Sequence, residues 1–598
     1  MREYSSPLGR IDVPATGNLT DDVVRNAAEA PEAPVLARPD GDGGWADVSA
    51  AAFLAEVSGV AKGLVAAGVA AGDRVALMSR TRYEWTLLDY AIWFAGAVTV
   101  PVYQTSSTDQ LAWILEDSGA CAVLTETAAH RAQVNEARED RLEHLHHVWT
   151  IDDNAVDVLT RLGADVPDDE LERRRTTATP LDLATLIYTS GTTGQPKGCM
   201  VTHGNLSFEL ATATHELGDL FAGEDASTLV LLPLAHVFAR IVQVGCVRTR
   251  TRLAHSGDVR SLSEDLRSFR PTFVLGVPRL FERLFTTSSQ RAAAAGNGAA
   301  FDRAAENAIA FSRGLDRGRV PVRVRAQHAY FARTAHRRVL EALGGRCRLA
   351  ISGGAPLGER LTHFYRGIGL TVLEGYGLTE STAALTVNLP EAMKIGSVGR
   401  PLPGTTVRVA DDGELVFRGG QVFAGYWGDE EATAEILEAD GWLHTGDVGE
   451  VDDEGFVRVT GRKKEILVTA GGKNVAPAVL EERVRAHALV DQCLVVGDGR
   501  PFIGALLTLD RDAVALWAEG RGKSADLDRL VDDDDLRAEL EAAVEEANTS
   551  VSRAEAIRRF RVLPGAWSEE DGQLTPSLKL KRSVVLRQVR DDVEDLYR

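Results

Sequence analysis

Apolar positions along this chain recur with two different periods. After Ser49, the residues Phe53, Val57, Ala61, Leu64 and Val65 fall on one helical face, so a helix is expected to open at a serine cap and stop near Gly68. Short apolar runs follow at 73–78, 228–232, 272–277, 347–351 and 371–373. Runs of that length, set between helical patterns, predict buried parallel strands. Several end at glycines, where open α/β sheets carry their ligand loops. The expected class is α/β, with a large N-terminal domain of doubly wound layers. From about residue 405 the pattern turns to strands and tight turns. Val407–Val409 and Glu414–Phe417 flank Asp411-Asp412-Gly413, and 450–459 repeats the idea around Asp453-Glu454-Gly455. These hairpins predict a β-barrel-like region. A polar break at Gly461-Arg462-Lys463-Lys464-Glu465 then introduces a last segment long enough for a small α/β domain. The expected division is 1–462 and 463–598.

Composition narrows the partners. The chain has 598 residues, 44% of them hydrophobic, and a formal charge of −21, which argues against a nucleic-acid partner. Five scattered cysteines with no paired spacing suggest free thiols in a reducing compartment, hence a cytoplasmic protein. Residues 86–100 and 229–247 are apolar, but Asp89 breaks the first, and Pro233, His236, Arg240 and Gln243 break the second. Neither supplies a membrane span. Between Arg313 and Arg348 ten arginines face only Asp316 and Glu341. That excess reads as the solvated face of a long helix, or as a dock for CoA phosphates or for anionic lipid headgroups at the inner membrane surface. The acidic run Asp532–Asp535 reads as the start of a helix.

The chemistry is concentrated in a few loops. Tyr188-Thr189-Ser190-Gly191-Thr192-Thr193-Gly194-Gln195-Pro196-Lys197-Gly198 follows an apolar run directly. It offers backbone N–H groups, hydroxyls and one cation, which suit a polyphosphate. Lys197 lies between Pro196 and Gly198, so this is not a Walker A loop. Ile351-Ser-Gly-Gly354-Ala355-Pro356 can turn sharply enough for a flat ring to approach its backbone. Glu374-Gly375-Tyr376-Gly377-Leu378-Thr379-Glu380-Ser381 holds a ring to stack on adenine, a hydroxyl for an α-phosphate and a carboxylate for Mg²⁺. Asp447, in Trp442-Leu-His-Thr-Gly-Asp447, suits two ribose hydroxyls, and Arg462 could join it. Near the C-terminus lies Leu574-Thr-Pro-Ser-Leu-Lys579-Leu-Lys581-Arg582.

Together these motifs resemble the adenylate-forming superfamily: acyl-CoA synthetases, luciferases and the adenylation domains of peptide synthetases. Gly276-Val-Pro-Arg-Leu-Phe-Glu-Arg283, Thr469-Ala-Gly471-Gly472-Lys473-Asn-Val-Ala-Pro477 and the ending Pro-Ser-Leu-Lys-Leu-Lys look like bacterial long-chain fatty acid–CoA ligases. The resemblance implies that a fatty acid, ATP and CoA are substrates, with Mg²⁺ as cofactor. It implies that the 188–198 loop holds the β- and γ-phosphates, and that Thr189 and Glu380 hold Mg²⁺. Gly354, Ala355, Pro356 and Tyr376 would line adenine, Thr379 the α-phosphate, and Asp447 with Arg462 the ribose. His236 would sit beside the substrate carboxylate. Lys579, or its neighbour Lys581, would bridge carboxylate and α-phosphate. Lys464 would be the hinge of a mobile C-terminal domain that brings Gly471, Gly472 and Lys473 to CoA. Two alternatives remain: an acyl-AMP ligase serving a carrier protein, and a catalytically silent nucleotide- or lipid-binding homologue.

Overall fold

The computed structural model describes residues 2–138, 142–189, 195–221, 223, 225–258, 261–531, 533–569, 571–575 and 580–598. Two large sheets carry the N-terminal part. The first has six strands in the order 147–150, 122–125, 74–78, 98–102, 183–189 and 197–202. All neighbours are parallel except the final hairpin. The second has nine. Its centre, in the order 371–376, 349–352, 273–276, 227–230, 252–255 and 34–39, is parallel throughout. The apolar runs at 73–78, 228–232, 272–277, 347–351 and 371–373 are all strands of these two sheets.

One hydrophobic cluster joins the facing sides of both sheets, from Val75 and Leu77 to Val230, Phe273 and Leu275. Helix Tyr83–Phe94 lies in it with every residue but Glu84 buried, which explains why its sequence is apolar all round. The second apolar stretch is strand Ser227–Val230 followed by helix Val237–Thr249. Asp89 and Arg240, which interrupt the two stretches, are partners in the middle of the core. Arg240 donates through Nε at 2.9 Å and through Nη2 at 2.5 Å to the two Asp89 oxygens. Arg240 Nη1 also donates to Thr185 Oγ1 at 2.6 Å, so one guanidinium ties both helices to strand Leu183–Thr189. Among the described residues no helix is long and apolar enough to cross a membrane.

Helix Ala50–Ala66 begins as its pattern predicts, with Ser49 Oγ accepting from Ala52 N–H at 3.2 Å. The region expected to be barrel-like is an antiparallel five-stranded sheet of 3–5, 406–409, 414–418, 443–451 and 457–462. Beyond it, strands 490–496, 503–509 and 557–562 form a sheet with its own hydrophobic cluster, which includes Leu480, Val495, Leu507 and Leu540. Asp533 caps helix Asp534–Asn548 as the acidic run predicts, while Asp532 lies outside the described residues. The arginine-rich stretch is not one long helix. It is the end of Gly298–Asp316, then Val322–Ala332 and Ala335–Ala342. All five cysteines are unpaired.

Candidate active site

The carboxyl ends of both parallel sheets and one edge of the antiparallel sheet open on a single cleft of about 3570 Å³. One end of it is formed by the hairpin strands Leu183–Thr189 and Lys197–Thr202, in which Tyr188 pairs with Gly198 and Thr189 with Lys197. Ser190, Gly191, Thr192, Thr193 and Gly194 lie outside the described residues. The feet of the hairpin are held firmly. Tyr188 O–H donates to Asp117 Oδ2 at 2.5 Å, and Trp427 Nε1–H to the Asp117 carbonyl at 3.0 Å. At Gly198 a Cβ would stand 3.1 Å from the Tyr188 ring, a tight approach. Lys197 Nζ lies 3.5 Å from Asp429 and 5.2 Å from the centroid of the Tyr426 ring.

Tyr426 also reaches the predicted metal ligand, donating its hydroxyl proton to Glu380 Oε1 at 2.8 Å. Thr189 Oγ1 lies 3.9 Å from Cys199 Sγ, and Cys199 pairs across a β-bridge with Tyr426. Thr189 and Glu380 therefore face a common neighbourhood. Among the described residues no three His, Cys, Asp or Glu side chains converge to hold a metal ion alone. A hard cation at Glu380 and Thr189 fits only with further oxygen ligands, such as those of a polyphosphate.

The residues expected at a ribose are bonded to one another. Tyr376 O–H donates to Asp447 Oδ2 at 2.6 Å, and Arg462 Nε lies 3.1 Å from Asp447 Oδ1. Asp447 and Arg462 stand directly opposite one another in the antiparallel ladder, so sheet register alone brings them together. Burial first, and the Asp447 charge next, push the Tyr376 phenol well above its ordinary value. The ring therefore stays a neutral donor.

Gly353, Gly354, Ala355 and Pro356 leave the strand Leu349–Ser352, with Gly354 at φ +82°. Glu374 braces this turn from inside. Its Oε2 accepts from Leu357 N–H at 3.0 Å and its Oε1 from Thr362 O–H at 2.9 Å. Glu374, Gly375 and Tyr376 are the last residues of the neighbouring strand Thr371–Tyr376. A Cβ on Gly377 would fall 1.5 Å from the Ala383 carbonyl oxygen, so only glycine permits the turn into Thr379 and Glu380.

His236 caps helix Val237–Thr249, accepting from Phe238 N–H through Nδ1 at 3.2 Å. Behind it the cleft runs on as an apolar arm between Leu210, Leu217, Phe221, Ile241, Val242 and Gly245. One acid stands in that wall. Glu209 is 1% exposed, its Oε1 accepts from Ala384 N–H at 2.7 Å, and burial pushes its carboxyl up to about 8.

The C-terminal part closes the cleft with helix Pro477–Arg485 and with Thr575, Leu580 and Lys581. Lys579 lies outside the described residues, between Thr575 and Leu580. Lys464 follows strand 457–462 on a short turn and lines the cleft. Gly471, Gly472 and Lys473 do not line it. They form an exposed hairpin turn whose lysine pairs with Glu555 at 3.3 Å. Sequence patterns signalled none of Asp117, Tyr426, Asp429 or Glu209. The apolar arm had a trace, since Phe238, Ile241, Val242 and Gly245 recur at helical spacing.

These sheets and this cleft define a nucleotide-handling α/β enzyme, and comparison with known proteins gives its family. The AMP-binding enzyme profile matches residues 23–427, and that of the AMP-binding enzyme C-terminal domain matches 464–598. The chain belongs to the AMP-binding enzyme family. It is 49% identical to the long-chain-fatty-acid–CoA ligase FadD15 of Mycobacterium bovis over 93% of each chain. Its fold is shared with the adenylation domain of a carboxylate reductase from Mycobacterium chelonae (TM-score 0.74, 22% identity, 99% of this chain and 92% of that one). It is also shared with the O-succinylbenzoate coenzyme A synthetase of Bacillus subtilis solved with ATP and magnesium ion (TM-score 0.68, 22% identity, 95% and 99%).

Proposed function

We propose that this protein activates a long-chain fatty acid with ATP, releasing pyrophosphate, and transfers the acyl group from the adenylate to CoA. The observation that carries this reading is one cleft with three chemically distinct ends. These are the Lys197–Tyr426–Glu380 group, the Tyr376–Asp447–Arg462 bracket, and the apolar arm behind His236. A polyphosphate, a ribose and an alkyl chain suit them in turn. The named activity of the Mycobacterium bovis relative supports the same substrates.

In the first step a carboxylate oxygen attacks the α-phosphorus, and the bond to pyrophosphate breaks. Lys197 and the hairpin hold the leaving phosphates, Thr379 the α-phosphate, and Asp447 with Arg462 the ribose hydroxyls. Glu380 and Thr189 would hold Mg²⁺ together with phosphate oxygens, and the ion would supply charge neutralisation. Lys579 bridges carboxylate and α-phosphate. In the second step the CoA thiolate attacks the acyl carbonyl and AMP leaves. We assign residues 1–462 to the nucleotide- and acyl-binding domain and 463–598 to a mobile domain that turns about Lys464. Thr575, Leu580 and Lys581 at the cleft and Gly471–Lys473 outside it support an arrangement suited to adenylation. Rotation then exchanges the two segments for the CoA step. The five unpaired cysteines support a cytoplasmic location.

The test is incubation with ATP, palmitate and CoA, followed by pyrophosphate release and by mass detection of the thioester. Pyrophosphate without thioester would point to a carrier protein as acceptor, and no pyrophosphate would refute the reading. Lys579→Ala should slow adenylation about a hundredfold, as for loss of one strong transition-state donor. It should spare thioester formation from supplied acyl-adenylate.

A further inference from the structure

The apolar arm behind His236 has one polar group in its wall that the reaction does not use. Helix His203–Glu216 gives the arm Glu209, Leu210, Ala213 and Thr214, and Leu217 follows directly. Leu210, Ala213 and Leu217 suit an alkyl chain. Thr214 hides its polarity, because its hydroxyl donates to the Leu210 carbonyl at 2.5 Å. Glu209 does not. Its Oε1 accepts from Ala384 N–H, but its Oε2 is shut off from solvent and has no hydrogen-bond partner among the described residues. No cation pairs with it there either.

Bracing the backbone does not account for the second oxygen. Ala384 N–H requires a single acceptor, and the turn it belongs to has anchors of its own. Thr382 O–H donates to the Gln421 carbonyl at 2.6 Å, and Leu385 N–H to the Tyr376 carbonyl at 2.8 Å. A buried polar atom left unpaired costs stability, so native interiors hold few of them. Burial pushes the Glu209 carboxyl up to about 8, so at neutral pH it keeps its proton. Oε1 is engaged as an acceptor, which leaves Oε2 as the O–H. The wall of the arm therefore carries a neutral donor with nothing to receive its proton. An unsubstituted alkyl chain offers it no partner. An oxygen on the chain does, and the broad last torsion of a glutamate lets the carboxyl turn onto it.

We propose that Glu209 is a specificity-determining residue and that the arm receives a fatty acid bearing a hydroxyl group along its chain. The hydroxyl oxygen accepts from Glu209 Oε2–H, and the rest of the chain packs on Leu210, Leu217 and Phe221. This inference rests on the fatty-acid reading above and narrows its substrate. The site favours the hydroxylated chain because the plain chain leaves a buried donor unpaired in the bound state.

The test is pyrophosphate release by the full chain with ATP and CoA, using palmitate and a series of palmitic acids with a single hydroxyl moved along the chain. Turnover of palmitate tests the fatty-acid reading by itself. The proposal is read from the ratio of kcat/KM for each hydroxy acid to that for palmitate. At one position the ratio should rise to about tenfold or more, as for a hydrogen bond gained by a buried donor. Glu209→Leu should bring that ratio down to about one or below. Glu209→Gln should retain the preference, because its amide N–H can donate where Oε2–H did. A flat series in the native protein, with palmitate turned over, overturns the proposal and leaves the fatty-acid reading standing. A preference that survives Glu209→Leu also overturns it. So does a Glu209→Leu variant that slows every substrate equally, since that would make Glu209 only a brace for Ala384.

Discussion

Replacing Glu209 by glutamine should reverse sign with pH. The carboxyl sits in the wall of the apolar arm on helix His203–Glu216, with only Ala384 N–H donating to it among the described residues. Its other oxygen, Oε2, has no hydrogen-bond partner among the described residues. Burial raises its pKa from 4.5 to about 8. Between those values the unfolded chain has released the proton while the native protein retains it, so native stability falls as pH rises across that window. Below 4.5 both states are protonated and the penalty vanishes; above about 8 the buried group is charged and the penalty is complete. The shift corresponds to a ceiling of roughly 5 kcal/mol at 1.36 kcal/mol per pH unit. Glutamine keeps the acceptor for Ala384 but adds N–H groups with no acceptor, at about 1–3 kcal/mol. The variant should therefore melt below the native protein near about pH 5 and above it near about pH 9. At roughly 2 °C per kcal/mol for a large domain, the difference should swing by several degrees. Differential scanning calorimetry of both proteins across the range reads it directly. A melting difference that does not change with pH would refute the buried, proton-retaining carboxyl.

Three further outcomes follow from the same structure. Asp89→Ala leaves Arg240, 1% exposed, charged and unpaired in the core, and should cost about 3–5 kcal/mol in urea unfolding. Asp447→Ala removes the acceptor shared by Tyr376 and Arg462, and should raise the KM for ATP about tenfold or more while leaving the KM for CoA near its native value. An equal rise in both would remove Asp447 from the ribose site. Lys464→Pro should spare pyrophosphate release and slow thioester formation in single-turnover measurements, and unchanged overall turnover would remove the hinge assignment.

What the chain reveals in sequence depends on whether a residue's partners are local. Loops that leave strand ends are short and carry their chemistry together, so Gly353–Pro356 and Tyr376–Glu380 could be read directly. Asp447 and Arg462 could be assigned to one ribose, but their direct contact could not be read, because only the register of 443–451 against 457–462 sets them opposite each other. Asp89 and Arg240 show the limit most clearly. Each looked like an interruption of an apolar segment, and each was an argument against a membrane span. Neither sequence neighbourhood indicated that the two interruptions are one ion pair. Asp117, Tyr426 and Glu209 left no trace at all, since burial and long-range hydrogen bonds define them. The arginine run is the converse case. Its charge was plain in the sequence, but charge alone fits a solvated face, a phosphate dock and a lipid dock equally. Only the orientation of Val322–Ala332, fixed by His328 and Val324 on the inner side, shows that apolar side chains face outward between the arginines.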